Sequence, residues 1–346
     1  MGLNIREIIP RREIEISDLK GKTICIDAFN TLYQFLSSIR QVDGTPLMDR
    51  QQRVTSHLSG IFYRNLALLE EGMKLIYVFD GLPPEQKAKT LNKRQSGREF
   101  AADNYEKAKS TENLEEMKRY SSQLVRINDT IIEESKELLQ AMGIAVVQAP
   151  SEGEAQAAHL AETRGEIYAS ASQDYDSLLF GAPKLVRNLT LAKKRKTISG
   201  WIEVKPEIIE LDKVLNYLEI NLDQLICLGI LVGTDYNPKG IPGIGQKKAL
   251  QIVKRYKQPI LIFDSIKEQL MNLPEQDQFE WREIFELFHK PNVSNSLFTF
   301  EKINEKKIRE ILVERHDFSD DRVQKQLERL REVTERNKQK NLERWF

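Results

Sequence analysis

The feature that most constrains the fold of this chain is a repeated pattern of short apolar segments that are rich in β-forming residues. Such uninterrupted apolar runs are typical of parallel strands covered on both faces. Amphipathic helical segments separate them along the chain, so the sequence predicts an α/β fold with a mostly parallel central sheet flanked by helices. Four segments show the pattern, and the first two lead to Asp27 and Asp80: residues 23–29, 74–79, 144–148 and 167–172.

Two pairs of carboxylates, each pair two residues apart, lie in the stretch 150–181. The first pair is placed where the third predicted strand enters a helix, and the second pair follows the fourth strand. In an open parallel sheet both places lie at the carboxyl edge, where the first two strands also end. Close carboxylates repel each other by about 4 kcal/mol at an effective dielectric of about 20, so a cation is expected among them. The pairs are Glu152 with Glu154 and Asp174 with Asp176.

Either pair alone has an ordinary structural explanation. Glutamate is favourable at a helix N-terminus, and aspartate is common in turns that follow strands. The convergence of both pairs on one predicted edge favours a metal site. Carboxylate oxygens without a nearby His or Cys indicate Mg²⁺ or Mn²⁺ rather than zinc.

The composition bounds the class of protein. The 346 residues include 52 basic and 52 acidic side chains, so the net charge by itself does not indicate nucleic acid. The two cysteines, Cys25 and Cys227, lie far apart in apolar stretches and predict no disulfide, as expected for a reducing compartment. The longest apolar run, residues 225–233, is far shorter than the roughly 18 residues of a membrane span. These features predict a soluble intracellular protein with no membrane contact.

The charge is polarised locally in the segment from residue 85 to about residue 126, where no continuous core face can be traced. A charged run of this kind is commonly a solvated helical insertion. The alternative is a basic, mobile lid that contacts phosphates, and it is favoured because the segment leaves the predicted sheet directly after Asp80. The basic residues near its start are Lys87, Lys89, Lys93, Arg94 and Arg98, against only Glu85.

Beyond the acidic stretch, the sequence predicts a strand over residues 184–190, a hairpin over residues 193–201 and helices over residues 205–218 and 222–232. A seventh acid, Asp235, then precedes a glycine-rich turn. The GxGxxxA spacing of this turn is that of a helix-hairpin-helix element, in which the backbone comes close to a phosphate at a helix N-terminus. Its residues are Gly243, Gly245 and Ala249, with Lys247 and Lys248 beside them.

The segments CIDAFNTLYQFL, YVFDGLPPEQK, APSEGEAQAAHLA, SQDYDSLLFG and GTDYNPKGIPGIG occur in this order. Together they resemble the motifs of the flap endonucleases in the structure-specific 5′-nuclease superfamily, in their archaeal or eukaryotic form. The resemblance covers nearly the whole chain. It implies one nuclease domain over residues 1–334, with a helical arch insertion at about 84–130, the acidic region 150–181 and the helix-hairpin-helix at about 222–257.

The implied activity is that of a 5′ flap endonuclease, with 5′-3′ exonuclease activity, that cuts flapped or nicked double-stranded DNA near the single-strand/duplex junction in replication and repair. The resemblance implies two Mg²⁺ ions, replaceable by Mn²⁺, held by Asp27, Asp80, Glu152, Glu154, Asp174, Asp176 and Asp235. It assigns Lys87 and Arg94 to the scissile phosphodiester, Tyr33 to stacking on the terminal base pair and Gly2 to the vicinity of the site. The helix-hairpin-helix is expected to grip the duplex, with K⁺ at its turn.

A function of a different class stays open at this point. The chain could be a DNA-binding scaffold whose acids form only a structural metal site, although the presence of all seven acids argues against it. The resemblance places the protein on DNA, in the cytoplasm of an archaeon or in a eukaryotic nucleus, and implies a monomer.

The last residues, 335–346, fit the motif that binds the sliding clamp (PCNA). A glutamine is followed by an aliphatic residue three positions on and by two aromatics at positions six and seven. We expect a flexible tail that docks on the clamp, and the alternative is a C-terminal helix that packs back on the core. The motif residues are Gln339, Leu342, Trp345 and Phe346.

Overall fold

The protein folds around a twisted sheet, seen here in a computed structural model that describes residues 3–111, 113–191, 194–197 and 200–342. Within those residues the sheet has seven strands in the order β1-β9-β6-β5-β2-β3-β4, and β7 and β8 form a separate hairpin. The strands are β1 (Arg12–Glu13), β2 (Thr23–Asp27), β3 (Lys74–Phe79), β4 (Ala145–Gln148), β5 (Ile167–Ala171), β6 (Lys184–Arg187), β7 (Lys194–Thr197), β8 (Gly200–Glu203) and β9 (Glu207–Glu210).

The five central strands, from β6 to β4, are parallel, whereas β9 and β1 are antiparallel at one side. Helices surround the sheet: α1 (Ala28–Ser38), α2 (Ser56–Glu70), α3 (Ala88–Ser110), α4 (Leu114–Ser121), α5 (Asp129–Ala141), α6 (Gly153–Thr163), α7 (Asp176–Leu179), α8 (Leu211–Leu218), α9 (Leu222–Val232), α10 (Gln246–Tyr256), α11 (Pro259–Asp264), α12 (Lys267–Met271), α13 (Trp281–His289), α14 (Glu305–Arg309) and α15 (Asp320–Leu342). Short 3₁₀ turns and a π-helical turn, Glu310–Arg315, complete the chain.

Two layers of core enclose the central strands. In β3, Tyr77 and Phe79 pack with α1, α2 and α5 on one face, while Ile76 and Val78 pack against α6 on the other. This alternation follows from the two-residue period of a strand, and it requires apolar residues at every position. The predicted α/β fold with a mostly parallel sheet flanked by helices is therefore confirmed.

The prediction of one helix over residues 205–218 was wrong in its first half. Residues 207–210 form β9, which pairs antiparallel with β6, and only then does α8 begin. The reason is tertiary: Ile208 and Ile209 are both buried, and their backbone groups are paired with β6, a context that local propensity does not reveal.

The hairpin predicted over residues 193–201 differs from the structure in its bounds, because its two strands are Lys194–Thr197 and Gly200–Glu203. Helix α1 begins directly after β2, and Asp27 is its N-cap, with its side chain accepting a hydrogen bond from the Asn30 backbone N–H. Asp27 takes this position because it is the last residue of the strand and its carboxylate satisfies a free N–H of the first turn.

The charged segment after Asp80 is helical, as the sequence predicted for an insertion. Helix α3 is 23 residues long and has few buried side chains, and α4 packs back against it. The return is fixed to the body of the protein at Gly44, whose carbonyl accepts a hydrogen bond of 2.7 Å from Ser121 Oγ. The segment is therefore a helical insertion, called the arch below after the prediction, that starts at the carboxyl edge of the sheet.

The long last helix, α15, runs as far as Leu342, so the backbone of most of the predicted tail 335–346 is helical here. Trp345 and Phe346 lie outside the described residues, as does Gly2. Among the described residues, no single helix is long and apolar enough to cross a membrane, although α8 and α9 pass such a test together at a bend of 82°.

Candidate active site

The seven acids that were identified from the sequence lie together at the carboxyl edge of the sheet. Asp27 ends β2, Asp80 follows β3, and the pair Asp174 and Asp176 follows β5. The remaining acids come from helical elements at the same edge: Glu152 is the N-cap of α6, Glu154 lies in its first turn, and Asp235 follows α9.

Backbone and amide donors fix the acids that end the strands. Asp27 Oδ1 accepts from Asn30 N at 3.0 Å, and Asp174 Oδ2 accepts from Asn30 Nδ2 at 2.9 Å. Asp80 Oδ1 accepts from Gly153 N at 2.6 Å. A Cβ at position 153 would lie 2.7 Å from that oxygen, so glycine is needed for this contact. Asn30 thus links two acids that lie far apart in the sequence.

The acids of the helical elements are fixed in the same manner. Glu154 Oε1 accepts from Ser177, at 3.0 Å from the backbone N and at 2.7 Å from Oγ. Asp176 Oδ1 accepts from Leu3 N at 3.2 Å, which brings the N-terminal segment to the site. Glu152 accepts a hydrogen bond from the hydroxyl group of Tyr236.

Burial and mutual repulsion disfavour the ionised form of four of these carboxylates and raise their pKa values. Burial, together with the nearby Asp80 and Asp174, raises the pKa of Asp27 to about 8. Burial, with Asp235 and Asp174 close by, raises the pKa of Asp176 to about 8. The pKa values of Asp80 and Glu154 are also raised, chiefly by burial. A cluster with these properties has a strong preference for added positive charge.

Two basic residues of the arch supply part of that charge. The Lys87 ammonium donates to Glu152 and lies 3.5 Å from Asp235 Oδ2. Arg94 Nη2 donates to both carboxylate oxygens of Asp235 at 2.8 Å. Burial by itself would raise the pKa of Asp235, but Lys87 and Arg94 outweigh it and lower this pKa below its usual value. Thr90 Oγ1, between them on the helix, donates to the Asp235 carbonyl at 2.5 Å.

Lys87 and Arg94 pair with Glu152 and Asp235, and the donor chemistry of the seven carboxylates fits hard divalent ions such as Mg²⁺. In the part of the chain that the structure describes, no group of three or more His, Cys, Asp or Glu side chains is arranged to hold a metal ion. The carboxylate oxygens of the cluster are of the type that binds such an ion.

The structure describes five of the predicted DNA-contacting residues, on α1 and at the glycine turn before α10. Tyr33, on α1, is 48% exposed and therefore is not part of the core. Gly243 has φ +77°, a conformation that favours glycine, and space is open beside both Gly243 and Gly245. Lys247 and Lys248 are exposed in the first turn of α10, whose N-cap is Gly245.

The sequence reasoning missed residues that support the acids. Asn30 bridges Asp27 and Asp174, Tyr236 binds Glu152, and Ser177 binds Glu154. Tyr236 and Ser177 each directly follow a predicted acid in the sequence. This adjacency is the sequence signal that could have identified them. Their targets, however, lie 84 and 23 residues away in the sequence.

Comparison with known proteins agrees with this arrangement. Residues 4–101 match the XPG N-terminal domain, and residues 143–235 match the XPG I-region. Flap endonuclease 1 of Pyrococcus furiosus is 51% identical over 100% of this chain and 99% of its own length. The chain belongs to the flap endonuclease family. The family resemblance drawn from the five sequence motifs is thus confirmed.

Other flap endonucleases and related structures extend the comparison. Flap endonuclease 1 of Aeropyrum pernix is 48% identical, with 100% of both chains covered. The solved flap endonuclease-1 from Methanococcus jannaschii has a TM-score of 0.75 at 39% identity, covering 97% of this chain and 100% of that one. The catalytic core of Rad2 in complex with DNA substrate has a TM-score of 0.69 at 20% identity, covering 95% and 100%, and shows a shared fold.

Proposed function

We propose that this protein is a structure-specific 5′ flap endonuclease, with 5′-3′ exonuclease activity, that cuts flapped or nicked DNA beside the single-strand/duplex junction in replication and repair. The observation that carries the proposal is the convergence of seven carboxylates with Lys87 and Arg94 at one sheet edge. The full-length similarity to flap endonucleases supports the same activity.

The carboxylates would hold two divalent ions, Mg²⁺ or Mn²⁺. When bound, such ions activate the attacking water and stabilise the leaving oxygen of a phosphodiester. The protein contributes fixed ligands, because Asn30, Gly153 and Ser177 hold the acids in place through hydrogen bonds. It also contributes a buried edge in which charge interactions are stronger than in water.

Lys87 and Arg94 would exchange partners when DNA binds. Without substrate they pair with Glu152 and Asp235. A phosphodiester at the edge would offer them oxygens of the same charge, and the carboxylates they leave, Glu152 and Asp235, would then be free to hold a divalent ion. The two side chains would then donate to the scissile phosphate and stabilise the charge that develops there. The arch that carries them would enclose the 5′ single strand.

The remaining surfaces would position the substrate. Tyr33 would stack on the terminal base pair, and Gly2 would lie near the site. Gly243, Gly245, Lys247 and Lys248 would bind duplex phosphates without reading sequence, with K⁺ at the hairpin turn. The C-terminal residues Gln339, Leu342, Trp345 and Phe346 would dock on the sliding clamp, and the nuclease would act as a monomer.

Cleavage of a labelled duplex with a 5′ flap tests the proposal. In Mg²⁺ we expect one main incision beside the junction, and none in EDTA. A matched duplex with a 3′ flap should be cut far more slowly. Equal cleavage of both substrates would contradict structure specificity, and stable binding of the 5′ flap without any cleavage in Mg²⁺ would favour a DNA-binding scaffold.

A further inference from the structure

Three arginines converge on one buried carboxylate beside the acidic edge. Arg6 Nη2 lies 2.8 Å from Glu207 Oε1, and Arg11 Nε lies 3.6 Å from the same oxygen. Arg187 Nη1 lies 3.5 Å from Glu207 Oε2. The arrangement needs an explanation, because like charges repel and one carboxylate cannot satisfy the donors of three guanidinium groups.

The location of this arginine cluster connects it to the active site. Arg187 ends β6, which is parallel to β5, and Glu207 begins β9, so both lie at the edge that carries the acids. Arg187 Nε donates to the Gln173 carbonyl at 3.0 Å, and Nη1 donates to the Tyr175 hydroxyl at 2.5 Å. Tyr175 itself lies between Asp174 and Asp176. The acids that follow β5 and the basic Arg187 at the end of β6 are therefore on neighbouring strands of the sheet.

The members of the cluster differ in exposure. The Glu207 side chain is 6% exposed, whereas those of Arg6 and Arg11 are 50% and 34% exposed. The two exposed arginines line an open cleft of about 420 Å³, and Glu13 also lines it. Three arginines against Glu207 and Glu13 leave an excess of positive charge. Glu207 thus acts as a buried anchor that orients two guanidinium groups toward solvent.

We propose that Arg6 and Arg11 bind a backbone phosphate of the DNA substrate, and that Glu207 and Arg187 position them. Guanidinium groups carry five donors in a fixed plane that matches two phosphate oxygens. Glu207, together with the Arg6 carbonyl that accepts from Arg11 Nη1 at 2.7 Å, engages a part of these donors on Arg6 and Arg11. A DNA strand can place one phosphodiester at the acids and continue along the edge toward β1. A neighbouring phosphate of that strand then lies over the cleft. The inference rests on the proposed function, since it assigns a second contact to the same substrate.

The first test measures how DNA affinity depends on salt, in EDTA, for wild type, Arg11→Ala and Arg12→Ala. Arg12→Ala is the matched control, because it removes the same charge at the next position in the sequence. Arg12 does not line the cleft. Loss of one phosphate contact should lower the slope of log affinity against log salt by about 0.9 for Arg11→Ala. Arg12→Ala should keep a slope closer to wild type, and Arg11→Lys, which keeps the charge, should do so too. Equal slopes for wild type and Arg11→Ala would overturn the inference.

The second test locates the phosphate. Single methylphosphonate linkages, which are neutral, are placed in turn along both strands near the junction. At one position the neutral linkage should weaken binding by wild type. It should have much less effect on binding by Arg11→Ala, because this variant already lacks the contact. If no position shows this coupling, the arginines are only a structural ion-pair network. A wild type that does not bind the flapped duplex would instead refute the proposed function, so the two failures are distinguishable.

Discussion

Replacement of Lys87 by alanine tests the view that this side chain substitutes for metal charge in the free protein. The ammonium group pairs with Glu152 and is 17% exposed, so its removal leaves buried carboxylates with less compensation. Removing one partner of a buried ion pair costs about 3–5 kcal/mol. Because Arg94 still pairs with Asp235, we expect a smaller loss in the free energy of unfolding, about 2–3 kcal/mol in EDTA.

The same variant should behave differently in Mg²⁺. Bound ions would neutralise the carboxylates whether or not Lys87 is present, so the loss of stability should fall below about 1 kcal/mol. The catalytic defect should remain, because Lys87 would then act on the scissile phosphate. Removal of one such donor lowers a rate by about 10²–10³.

The assays are urea unfolding in EDTA and in Mg²⁺, and single-turnover cleavage at saturating enzyme. Lys93→Ala is the matched control, since Lys93 is on α3, in the same charged segment as Lys87, and lines a neighbouring cleft with Pro238 and Lys239. It should change stability by less than about 0.5 kcal/mol under both conditions. An equal loss of stability for Lys87→Ala in EDTA and in Mg²⁺ would refute the reasoning, as would an unchanged single-turnover rate.

Further predictions concern other parts of the chain. Replacing both Lys247 and Lys248 by alanine should lower the salt slope of duplex binding by about one to two units, measured by fluorescence anisotropy, and an unchanged slope would leave the glycine turn a structural element. Hydrogen bonds to Glu134 and Asp49 outweigh burial and raise the pKa of His316. Its stabilising effect is therefore complete below about pH 6.5 and is lost as the pH rises through the folded pKa, so unfolding experiments should show that His316→Gln costs more at pH 6 than at pH 9. Deleting residues 337–346 should abolish binding to the sliding clamp in a pull-down while basal cleavage survives; full clamp binding after the deletion would place the docking site elsewhere.

The central strands and the acids at their ends could be predicted because their signals are local. In β2 and β3 the residues after the first position are apolar up to the acid, and this pattern specifies both a buried parallel strand and its polar end. Strand β9 could not be predicted in the same way. Its sequence, EIIE, continues into a helical segment without a break, and its strand state depends on pairing with β6.

The residues that hold the acids in place could not be predicted from the sequence, for a related reason. Asn30 binds Asp174 across 144 positions, and Arg94 binds Asp235 across 141. Contacts at such separations depend on how the sheet edge assembles, and no local pattern encodes them. The pairing of the arch cations with the acids in the free protein is likewise a property of the folded structure alone.

The most direct test of the central claim is the binding of Mn²⁺, followed by calorimetry, to wild type and to Asp176→Asn. Asp212→Asn, which changes an exposed acid on α8, is the control. If the carboxylate edge is the catalytic metal site, wild type and the control should bind two ions, and Asp176→Asn should bind fewer or bind them much more weakly. Equal Mn²⁺ binding by all three proteins would show that the metal site is not at this edge.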